Sequence, residues 1–309
     1  MLKKKKRILI TGGTGLLALN WACAVRDKWQ VILATHERSV ILRGTVQYKL
    51  DLEDMERLDM QLREISPDLI VHTAGLTNVD DCERDPELAE RVNGTLAKNI
   101  ATIAQLRDIS LIHISTDHLF SGNKSFNSEE DIPTPINEYA RSKLLAEKWV
   151  HERNPSALIL RTNFLCWGYA QRQSLSDWMI YSLRSGKTLS MFDDVYITPI
   201  FADDLVHFAH KLLNKDASGI FNITGNDRIS KYEFAIKLAQ HFDLPLSLIK
   251  KNKLTNAGLF AARPKDMSLS NAKVSRELGL NMGSLDDYFS ALKTQELTGR
   301  KKELYHSIT

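Results

Sequence analysis

The chain has 309 residues, of which 43% are hydrophobic and 26% are charged, so it can form one large domain or two unequal ones, each with a real core. The formal net charge is only +3, which gives no reason to expect nucleic acid or a membrane surface as the partner, so we expect a small molecule. Three widely separated cysteines, Cys23, Cys82 and Cys166, suit neither a disulfide framework nor a zinc site and favour a reducing cytoplasm.

The chain begins with a basic run, KKKKR at residues 3–7. This run leads directly into an apolar segment without the apolar core of a signal peptide, so we interpret it as a solvated lead-in to a strand rather than a lipid-binding tail. No apolar stretch approaches the roughly 18 residues that span a bilayer. We therefore expect a soluble, cytoplasmic protein.

Short, continuously apolar runs alternate with longer helical patterns over the first half of the chain. We predict strands at residues 7–11, 31–35, 46–50, 68–74, 110–116 and 157–162, and helices at 86–107 and 137–153. This alternation indicates a parallel sheet with crossover helices, and the continuous apolarity indicates burial on both faces of that sheet. The predicted fold class is α/β, with a doubly wound, Rossmann-like parallel sheet.

The rhythm of the sequence changes after residue 163. Helices predicted near 174–185, 202–214, 230–242 and 284–297 are joined by short strands and by loops that contain prolines. We expect residues 1–163 to form a dinucleotide-binding domain, to which residues 195–224 could return, and residues 164–309 to form a smaller C-terminal substrate-binding lobe.

A glycine-rich turn follows the first strand. Gly13, Gly15 and Ala18 fit the spacing G-x-G-x-x-G/A at the start of a helix, and Gly12, Gly15 and Ala18 fit the related spacing G-x-x-G-x-x-A. The first glycines turn the chain and let backbone N–H groups approach a pyrophosphate, whereas the last small residue serves only the packing of helix on strand, which alanine can also achieve. We predict dinucleotide binding here; the alternative is a tight turn without a ligand.

The choice of cofactor should depend on the end of the second strand, which reads ATHERS. A basic residue there accepts the 2′-phosphate of NADP, and an acidic one binds the ribose hydroxyls of NAD. His36 and Arg38 favour NADP, and Glu37 favours NAD. The expected cofactor is therefore NADPH or NADH. If all three side chains are solvated loop residues, this segment gives no preference between the two.

Tyr139 and Lys143 lie four residues apart in a predicted helix and so project from one face of it. An ammonium group beside a phenol favours the phenolate, so we expect Lys143 to lower the pKa of Tyr139 toward the range useful for acid–base chemistry. Ser115 and Thr116 follow a predicted strand at the carboxyl edge of the sheet, where doubly wound proteins bind ligands. A hydroxyl in that place can orient a substrate carbonyl.

The segments TGGTGLLA, STDHLFSG and YARSK, in this order, resemble the extended short-chain dehydrogenase/reductase superfamily and, within it, the dTDP-4-dehydrorhamnose reductase family. The segments GLTNVDDCE and VNGT also resemble that family, as do LRTNFLCWG, DDVYITPIFADDL and RPKDMSLSNAK in the second half of the chain. By match to the family's catalytic Thr, Tyr and Lys, the resemblance implies a catalytic triad of Thr116, Tyr139 and Lys143.

The motifs and the resemblance together assign two further sets of residues. Besides Tyr139 and Lys143, those expected to bind the cofactor are Gly12, Gly13, Thr14, Gly15, Leu16, His36, Arg38, Asp51, Leu52, Thr73, Ala74, Gly75 and Thr77. Those expected to bind the substrate are Val79, Asp80, Thr116, Asp117, His118, Phe164 and Arg263.

The chain departs from the family pattern at several positions expected near the substrate. His118 and Ser121 stand where the family usually has Tyr and Asp, Phe164 where it commonly has Trp, and Ile200 where it usually has Thr. Because the triad is intact while these positions differ, we expect the same chemistry on a different sugar.

The resemblance implies an NAD(P)H-dependent reductase of a nucleotide-linked 4-keto-6-deoxysugar, with Tyr139 as the proton donor. One alternative is a sugar-nucleotide epimerase or dehydratase of the same superfamily. Another is a non-enzymatic regulatory subunit like that of methionine adenosyltransferase, which shares this fold and these motifs. A homodimer formed through helices 86–107 and 137–153 and a monomer both agree with the sequence.

We expect no metal site. Asp203 and Asp204 could form a metal-binding pair, but a helix N-cap followed by an acidic residue in the first turn explains them better. The histidines at 151, 207 and 210 recur at helical spacing, which core packing or a solvated helix face accounts for.

Overall fold

The computed structural model describes residues 5–308. The first two lysines of the basic run, Lys3 and Lys4, therefore lie outside the described residues. Within the described part of the chain, no helix is both long and apolar enough to cross a membrane.

The strands alternate with helices in chain order. The strands are β1 (Arg7–Thr11), β2 (Gln30–Thr35), β3 (Thr45–Lys49), β4 (Leu69–His72), β5 (Ser110–Ile114), β6 (Leu158–Arg161), β7 (Phe164–Leu165), β8 (Leu189–Phe192), β9 (Tyr196–Ile197), β10 (Ile200–Phe201), β11 (Gly219–Asn222), β12 (Ile229–Ser230) and β13 (Ile249–Asn252). The helices are α1 (Leu16–Val25), α2 (Met55–Ile65), α3 (Val79–Arg84), α4 (Pro86–Ala89), α5 (Leu96–Leu106), α6 (Glu138–Arg153), α7 (Leu175–Arg184), α8 (Ala202–Leu213), α9 (Lys231–His241), α10 (Ala272–Leu278), α11 (Leu285–Leu297) and α12 (Arg300–Tyr305). A π-helical segment, Glu90–Thr95, joins α4 to α5.

A seven-stranded parallel sheet in the order β11-β6-β5-β4-β1-β2-β3 forms the centre of the molecule. Side chains of β1 alternate between its two faces: Ile8 and Ile10 belong to one apolar cluster and Leu9 to another. All three are fully buried, which explains why the strand sequences are apolar throughout rather than alternating. The predicted α/β, doubly wound parallel sheet is confirmed.

The segment after β6 builds smaller structures around helices α7, α9 and α11. Three pairs of short strands lie here: β7 with β10, β8 with β13, and β9 with β12. The strand β11 extends the large sheet beside β6, and α8 packs against α1. Residues 195–224 thus contribute α8 and β11 to the first half of the chain. We keep as a proposal the division into a dinucleotide-binding domain of residues 1–163, which this segment joins, and a lobe of residues 164–309.

Polar side chains at helix starts explain where several helices begin. Asp54 caps α2 by accepting hydrogen bonds from the N–H groups of Glu56 and Arg57, and Ser230 with Glu233 forms a reciprocal capping box at α9. At α8 the prediction was wrong. Phe201 occupies the N-cap position, and Asp203 and Asp204 both lie in the first turn, where they face the positive end of the helix.

The three cysteines are buried and free. Burial raises the pKa of Cys23 and of Cys82 to about 11 and raises that of Cys166 further. Their thiols therefore stay protonated and unreactive in the folded chain.

Strands β1, β4 and β5 end at the same edge of the sheet, because parallel strands share their carboxyl edge. The predicted strands 68–74 and 110–116 stop at His72 and Ile114. The residues that follow them are thus loop residues at this edge, which is where ligands bind to open α/β sheets.

Candidate active site

The glycine turn lies between β1 and α1, against the ends of two neighbouring strands. Gly12 has a φ of +64°, and a Cβ on it would lie 2.8 Å from the Cα of Ala74. A Cβ on Gly13 would lie 2.9 Å from the carbonyl oxygen of Ala34. Both positions therefore require glycine for the turn to pack at all.

Helix α1 opens into the cleft at this turn. Gly15 is its N-cap, no side chain caps it, and its first turn carries no acidic residue. The first N–H groups of a helix lack partners within the helix and carry a partial positive charge, so this terminus can accept an anion. Ala18 is fully buried, in accord with a packing role for the third small residue.

A first cavity of about 720 Å³ extends from the turn along the ends of β2 and β3. The residues predicted for cofactor binding that line it are Gly12, Gly13, Thr14, His36, Asp51, Leu52 and Ala74. Lys49, Arg57 and Arg91, which the sequence did not single out, also line it. Of the predicted pair of basic residues, His36 lines the cavity, whereas Arg38 lies outside its lining and donates a long hydrogen bond, 3.4 Å, to the hydroxyl of Tyr169.

A second cavity of about 420 Å³ continues from the first and shares Gly12, Thr14 and Ala74 with it. It contains all three residues of the predicted triad, Thr116, Tyr139 and Lys143. Further predicted residues that line it are Gly15, Leu16, Thr73, Gly75, Thr77, Val79, Asp117, His118 and Phe164. The two cavities form one cleft, with residues of the glycine turn where they meet and the triad in the second cavity.

Tyr139 is buried on α6 and faces the loop after β5. Burial raises the pKa of Tyr139 to about 12, and the nearby hydroxyl of Thr116 opposes that shift only in part. The expectation that Lys143 lowers this pKa is therefore not met in the described structure. Desolvation of the phenolate outweighs any nearby cation, so Tyr139 is protonated at neutral pH.

Lys143 lies one helical turn beyond Tyr139 and is also buried. Its Nζ donates a hydrogen bond of 2.7 Å to the carbonyl oxygen of Ile114. Burial lowers the pKa of Lys143 to about 8, while the nearby carboxylate of Glu147 acts in the opposite direction. The amine is thus held at the end of β5 and is charged at neutral pH.

The loop after β5 places two more polar side chains beside the triad. Thr116 donates to Asp117 across 3.3 Å, and Asn163 donates to the other oxygen of Asp117 across 2.6 Å. Burial raises the pKa of Asp117 to about 6. The ring of His118 meets Tyr139 edge-on with centroids 5.5 Å apart, and burial lowers its pKa to about 3, so this histidine is neutral.

Two residues predicted to bind substrate are engaged with each other instead of lining the second cavity. Arg263 donates to Asp80 across 2.9 Å, and Asp80 also accepts from the backbone N–H of Ala261 across 3.0 Å. These contacts tie the segment around residue 261 to α3 beside the mouth of the cleft. A direct role of Asp80 and Arg263 in substrate binding stays a prediction.

The π-helical segment between α4 and α5 interrupts what the sequence predicted as a single helix over 86–107. Asn93 in this segment accepts from the N–H of Leu76 across 2.7 Å and donates to its carbonyl across 3.0 Å. It also donates to Ser142, next to Lys143, across 2.9 Å. One side chain thus joins the loop after β4 to α6, the helix that carries Tyr139 and Lys143. Short π-helical segments of this kind are frequent at functional sites.

Asn163 and Arg172 also line the second cavity. Lys231 is near enough to Asp117 for the two charges to interact. Sequence reasoning missed all three. Each is a lone polar residue on a loop or at a helix start, and only tertiary contacts bring it to the cleft. Within residues 5–308, no group of three or more His, Cys, Asp or Glu side chains is arranged to hold a metal ion.

The model of one protein family, described as the RmlD substrate binding domain, matches residues 6–294 of the chain. A probable low-salt glycan biosynthesis reductase, Agl14 of Haloferax volcanii, is 32% identical over 291 residues, which cover 92% of this chain and 96% of that protein. Methionine adenosyltransferase 2 subunit beta of Rattus norvegicus is 30% identical over 281 residues, which cover 87% of this chain and 81% of that protein.

A solved structure also resembles the chain over nearly its whole length. The crystal structure of dTDP-4-dehydrorhamnose reductase from Bacillus anthracis, in complex with NADP, has a TM-score of 0.83 and 25% sequence identity. The similarity covers 94% of this chain and 100% of that one. The similar proteins thus include reductases as well as the beta subunit of an adenosyltransferase.

Proposed function

Because this chain belongs to the RmlD substrate binding domain family, we propose that it is an NAD(P)H-dependent reductase of a nucleotide-linked 4-keto-6-deoxysugar. The relatives named as reductases support this proposal, including the one whose structure contains NADP. The observation that carries it is the position of Thr116, Tyr139 and Lys143 in one cavity that is continuous with the glycine turn.

The cofactor would lie along the cleft with its pyrophosphate at the glycine turn. Gly12 and Gly13 have no room for a side chain, and the uncapped start of α1 offers N–H groups to the anion. Lys143, held at Ile114, would contact the ribose next to the nicotinamide. When bound, the reduced nicotinamide supplies the hydride for the reduction of the sugar ketone.

Tyr139 would donate the proton that the reduction requires. As hydride reaches the keto carbon, negative charge develops on the ketone oxygen, and a phenol with a pKa of about 12 is protonated and ready to transfer its proton to that far stronger base. Thr116 would hydrogen-bond the same oxygen and so fix its position.

The sugar-binding end of the cleft differs from the family pattern, and we propose that it selects a different sugar. His118 lies edge-on to Tyr139, where the family has a larger phenol. Phe164, which also lines the cavity, stands where the family commonly has Trp, so the indole N–H donor is missing here. Both changes alter the shape and hydrogen bonding around the substrate while leaving the triad in place.

Turnover of the wild-type protein tests this function. Purified protein is incubated with NADPH or NADH and a panel of nucleotide 4-keto-sugars, and cofactor oxidation is followed at 340 nm. We expect one mole of reduced cofactor to be oxidised per mole of sugar reduced, with NADPH used at least as well as NADH because of the basic side chains near the end of β2.

Two other results would favour the alternatives. Conversion of a sugar nucleotide without net cofactor oxidation would indicate an epimerase or dehydratase. Absence of turnover with every sugar, together with stable binding of an adenosyltransferase catalytic subunit in a pull-down, would favour the regulatory role suggested by the relative of that name. We place the reaction in the cytoplasm as part of the proposal, since three buried free thiols suit a reducing compartment.

A further inference from the structure

A tight turn between β7 and α7 brings an arginine to the mouth of the second cavity. Tyr169 and Arg172 exchange backbone hydrogen bonds, each of 3.0 Å. Gly168 makes this turn possible, because a Cβ at that position would collide with the carbonyl oxygen of Arg172. Arg172 lines this cavity, whose lining also includes Gly15 and Leu16 at the glycine turn.

The turn is anchored to the body of the protein on several sides. Tyr169 is 1% exposed, and the backbone N–H of Gly168 donates to the carboxylate of Asp177 across 3.1 Å. The N–H of Ala170 donates to the carbonyl oxygen of Tyr305 across 3.3 Å. A turn held in this way presents the following side chain from a fixed base, so little conformational freedom is lost on binding.

Arg172 reaches across the cleft from one side to the other. Its Nη2 donates a hydrogen bond of 2.7 Å to the hydroxyl of Thr77, in the loop between β4 and α3. The guanidinium thus spans from the second half of the chain to the wall of the dinucleotide-binding half. Its partner is a hydroxyl rather than a carboxylate, so this contact leaves the positive charge without compensation.

The other cation that lines the second cavity is already engaged. Among the described residues that line the second cavity, the lysines and arginines are Lys143 and Arg172. Lys143 is buried and bonded to Ile114, and Arg263, outside the lining, is paired with Asp80. The glycine turn itself contributes backbone N–H groups and no formal charge, whereas a pyrophosphate carries two negative charges.

We propose that Arg172 binds the pyrophosphate of the dinucleotide from the side of the cleft opposite the glycine turn, an inference that rests on the proposed function. Two parallel N–H groups of a guanidinium match two phosphate oxygens, which makes arginine well suited to this contact. The hydroxyl of Thr77 holds the side chain over the cleft before the cofactor arrives. Cofactor binding thereby connects the glycine turn with the lobe that carries the sugar site.

Calorimetric titration of an Arg172→Gln variant tests this contact. NADPH and NADH share the pyrophosphate and differ in the 2′-phosphate, so both dissociation constants should rise by about 10- to 100-fold, the usual effect of losing a hydrogen-bonded charge. Uridine diphosphate and thymidine diphosphate, which represent the substrate's own diphosphate, should bind as they do to the wild type. Arg172→Lys should restore part of the affinity. Lys187→Gln, which removes an exposed cation from the same half of the chain, is the matched control and should change nothing.

Each other outcome overturns the assignment in a recognisable way. Unchanged affinity for both dinucleotides would show that Arg172 makes no such contact. A loss confined to NADPH would move the contact to the 2′-phosphate, and a loss confined to the nucleoside diphosphates would move it to the substrate. If the wild type bound neither dinucleotide, the proposed function itself would fail, and the inference with it.

Discussion

At the scale of single residues, Tyr139 carries the chemistry that we propose. Tyr139→Phe removes the phenolic oxygen and leaves the ring, so packing on α6 and affinity for the cofactor should be retained. The turnover number should fall by roughly 100- to 10,000-fold, the usual contribution of a positioned acid. Steady-state kinetics and NADPH titration measure the two effects.

An exposed tyrosine provides the control for that variant. Tyr181 is 51% exposed on α7 and lies outside both cavities, so Tyr181→Phe should leave kcat unchanged. Full activity of Tyr139→Phe would rule out its role as the proton donor.

Gly15 can be changed with less harm to the fold than the glycines before it. Its φ is −80°, which any residue adopts, and a Cβ there would lie 3.0 Å from the carbonyl oxygen of Gly12 alone. We expect Gly15→Val to fold with a melting temperature close to that of the wild type, yet to bind NADPH at least about tenfold more weakly, because the side chain occupies the anion site. Gly15→Ala should show a smaller loss. Unchanged affinity in a folded Gly15→Val protein would mean that the pyrophosphate binds elsewhere.

The pKa of Lys143 predicts how activity depends on pH. Because burial lowers this pKa to about 8, the amine loses its charge above that value, whereas Tyr139, with a pKa of about 12, stays protonated. We expect kcat/KM for the sugar to decline above pH 8, by up to about tenfold per pH unit. A profile that stays level to pH 10 would show that the charge of Lys143 is not required.

At the scale of secondary-structure elements, adjacent strands β4 and β5 carry a pair of buried histidines. His72 and His113 are paired in register, both are fully buried, and their rings stack with centroids 5.4 Å apart. Thr11 accepts backbone hydrogen bonds from Thr73 and Ala74, so its own proton goes to Nδ1 of His72, 2.8 Å away. His72 is therefore neutral, and both rings lie within the sheet near its carboxyl edge.

These histidines should make the sheet sensitive to acid. Burial lowers the pKa of His72 to about 3 and that of His113 well below its ordinary value of 6.5. The unfolded chain thus binds more protons below pH 6.5, and stability falls as the pH drops from there toward the folded-state values. His113→Leu should reduce this fall by up to about 1.4 kcal/mol per pH unit, measured by urea unfolding at pH 7, 6 and 5.

His151→Gln, which removes an exposed histidine from α6, is the matched control with which the pH dependence of His113→Leu is compared. If His113→Leu were as sensitive to acid as the wild type, the buried pair could not be the cause.

The same elements show what the sequence can and cannot predict. Strands β1, β4 and β5 were predicted because burial on both faces makes them continuously apolar, and α6 because its length and spacing are distinctive. Helix α2 and strand β11 were not among the predicted elements: only three of the 11 residues of α2 are buried, and β11 has only two buried positions. The π-helical segment was missed because a change from i→i+4 to i→i+5 hydrogen bonds over a few residues is not visible in the spacing of apolar residues.

The candidate site was predictable where it depends on local geometry. The glycine turn and the spacing of Tyr139 and Lys143 are encoded over a few residues. The pKa of Tyr139 was predicted in the wrong direction, because burial depends on everything that packs around the ring. Arg172 could not be found from the sequence, since its place in the cleft depends on a turn more than ninety residues from Thr77.

At the scale of the whole molecule, the ion pair of Asp80 and Arg263 joins the two halves of the chain at the mouth of the cleft. Its side chains are 24% and 16% exposed, and Asp80 also accepts the N–H of Ala261, so the loss of Asp80 should lower stability by about 1 to 3 kcal/mol. We expect Asp80→Ala to raise KM for the sugar nucleotide more than it lowers kcat, because the segment that carries Arg263 loses its anchor on α3. Kinetics and thermal unfolding measure both quantities.

A neighbouring carboxylate offers a matched control for the Asp80→Ala variant. Asp81 on the same helix pairs with the exposed Arg84, whose guanidinium lies 5.3 Å from the ring centroid of Phe260. Asp81→Ala removes an equal charge from α3 but leaves the hydrogen bonds of Asp80 to Ala261 and Arg263 in place. If both variants had the same KM, the ion pair at the mouth would have no part in substrate binding.

The burial of all three thiols has a practical consequence for measuring how this molecule opens. Cys23 is a buried residue of α1, Cys82 packs in one cluster with Tyr139, and Cys166 lies in the second half of the chain. A thiol-specific label can therefore attach to each only after its own region unfolds. Labelling rates resolved by peptide mass spectrometry would then rank the regions by their opening free energies. Added NADPH should slow the labelling of a cysteine where the opening of its region also disrupts the cofactor site, because the bound cofactor stabilises the closed state.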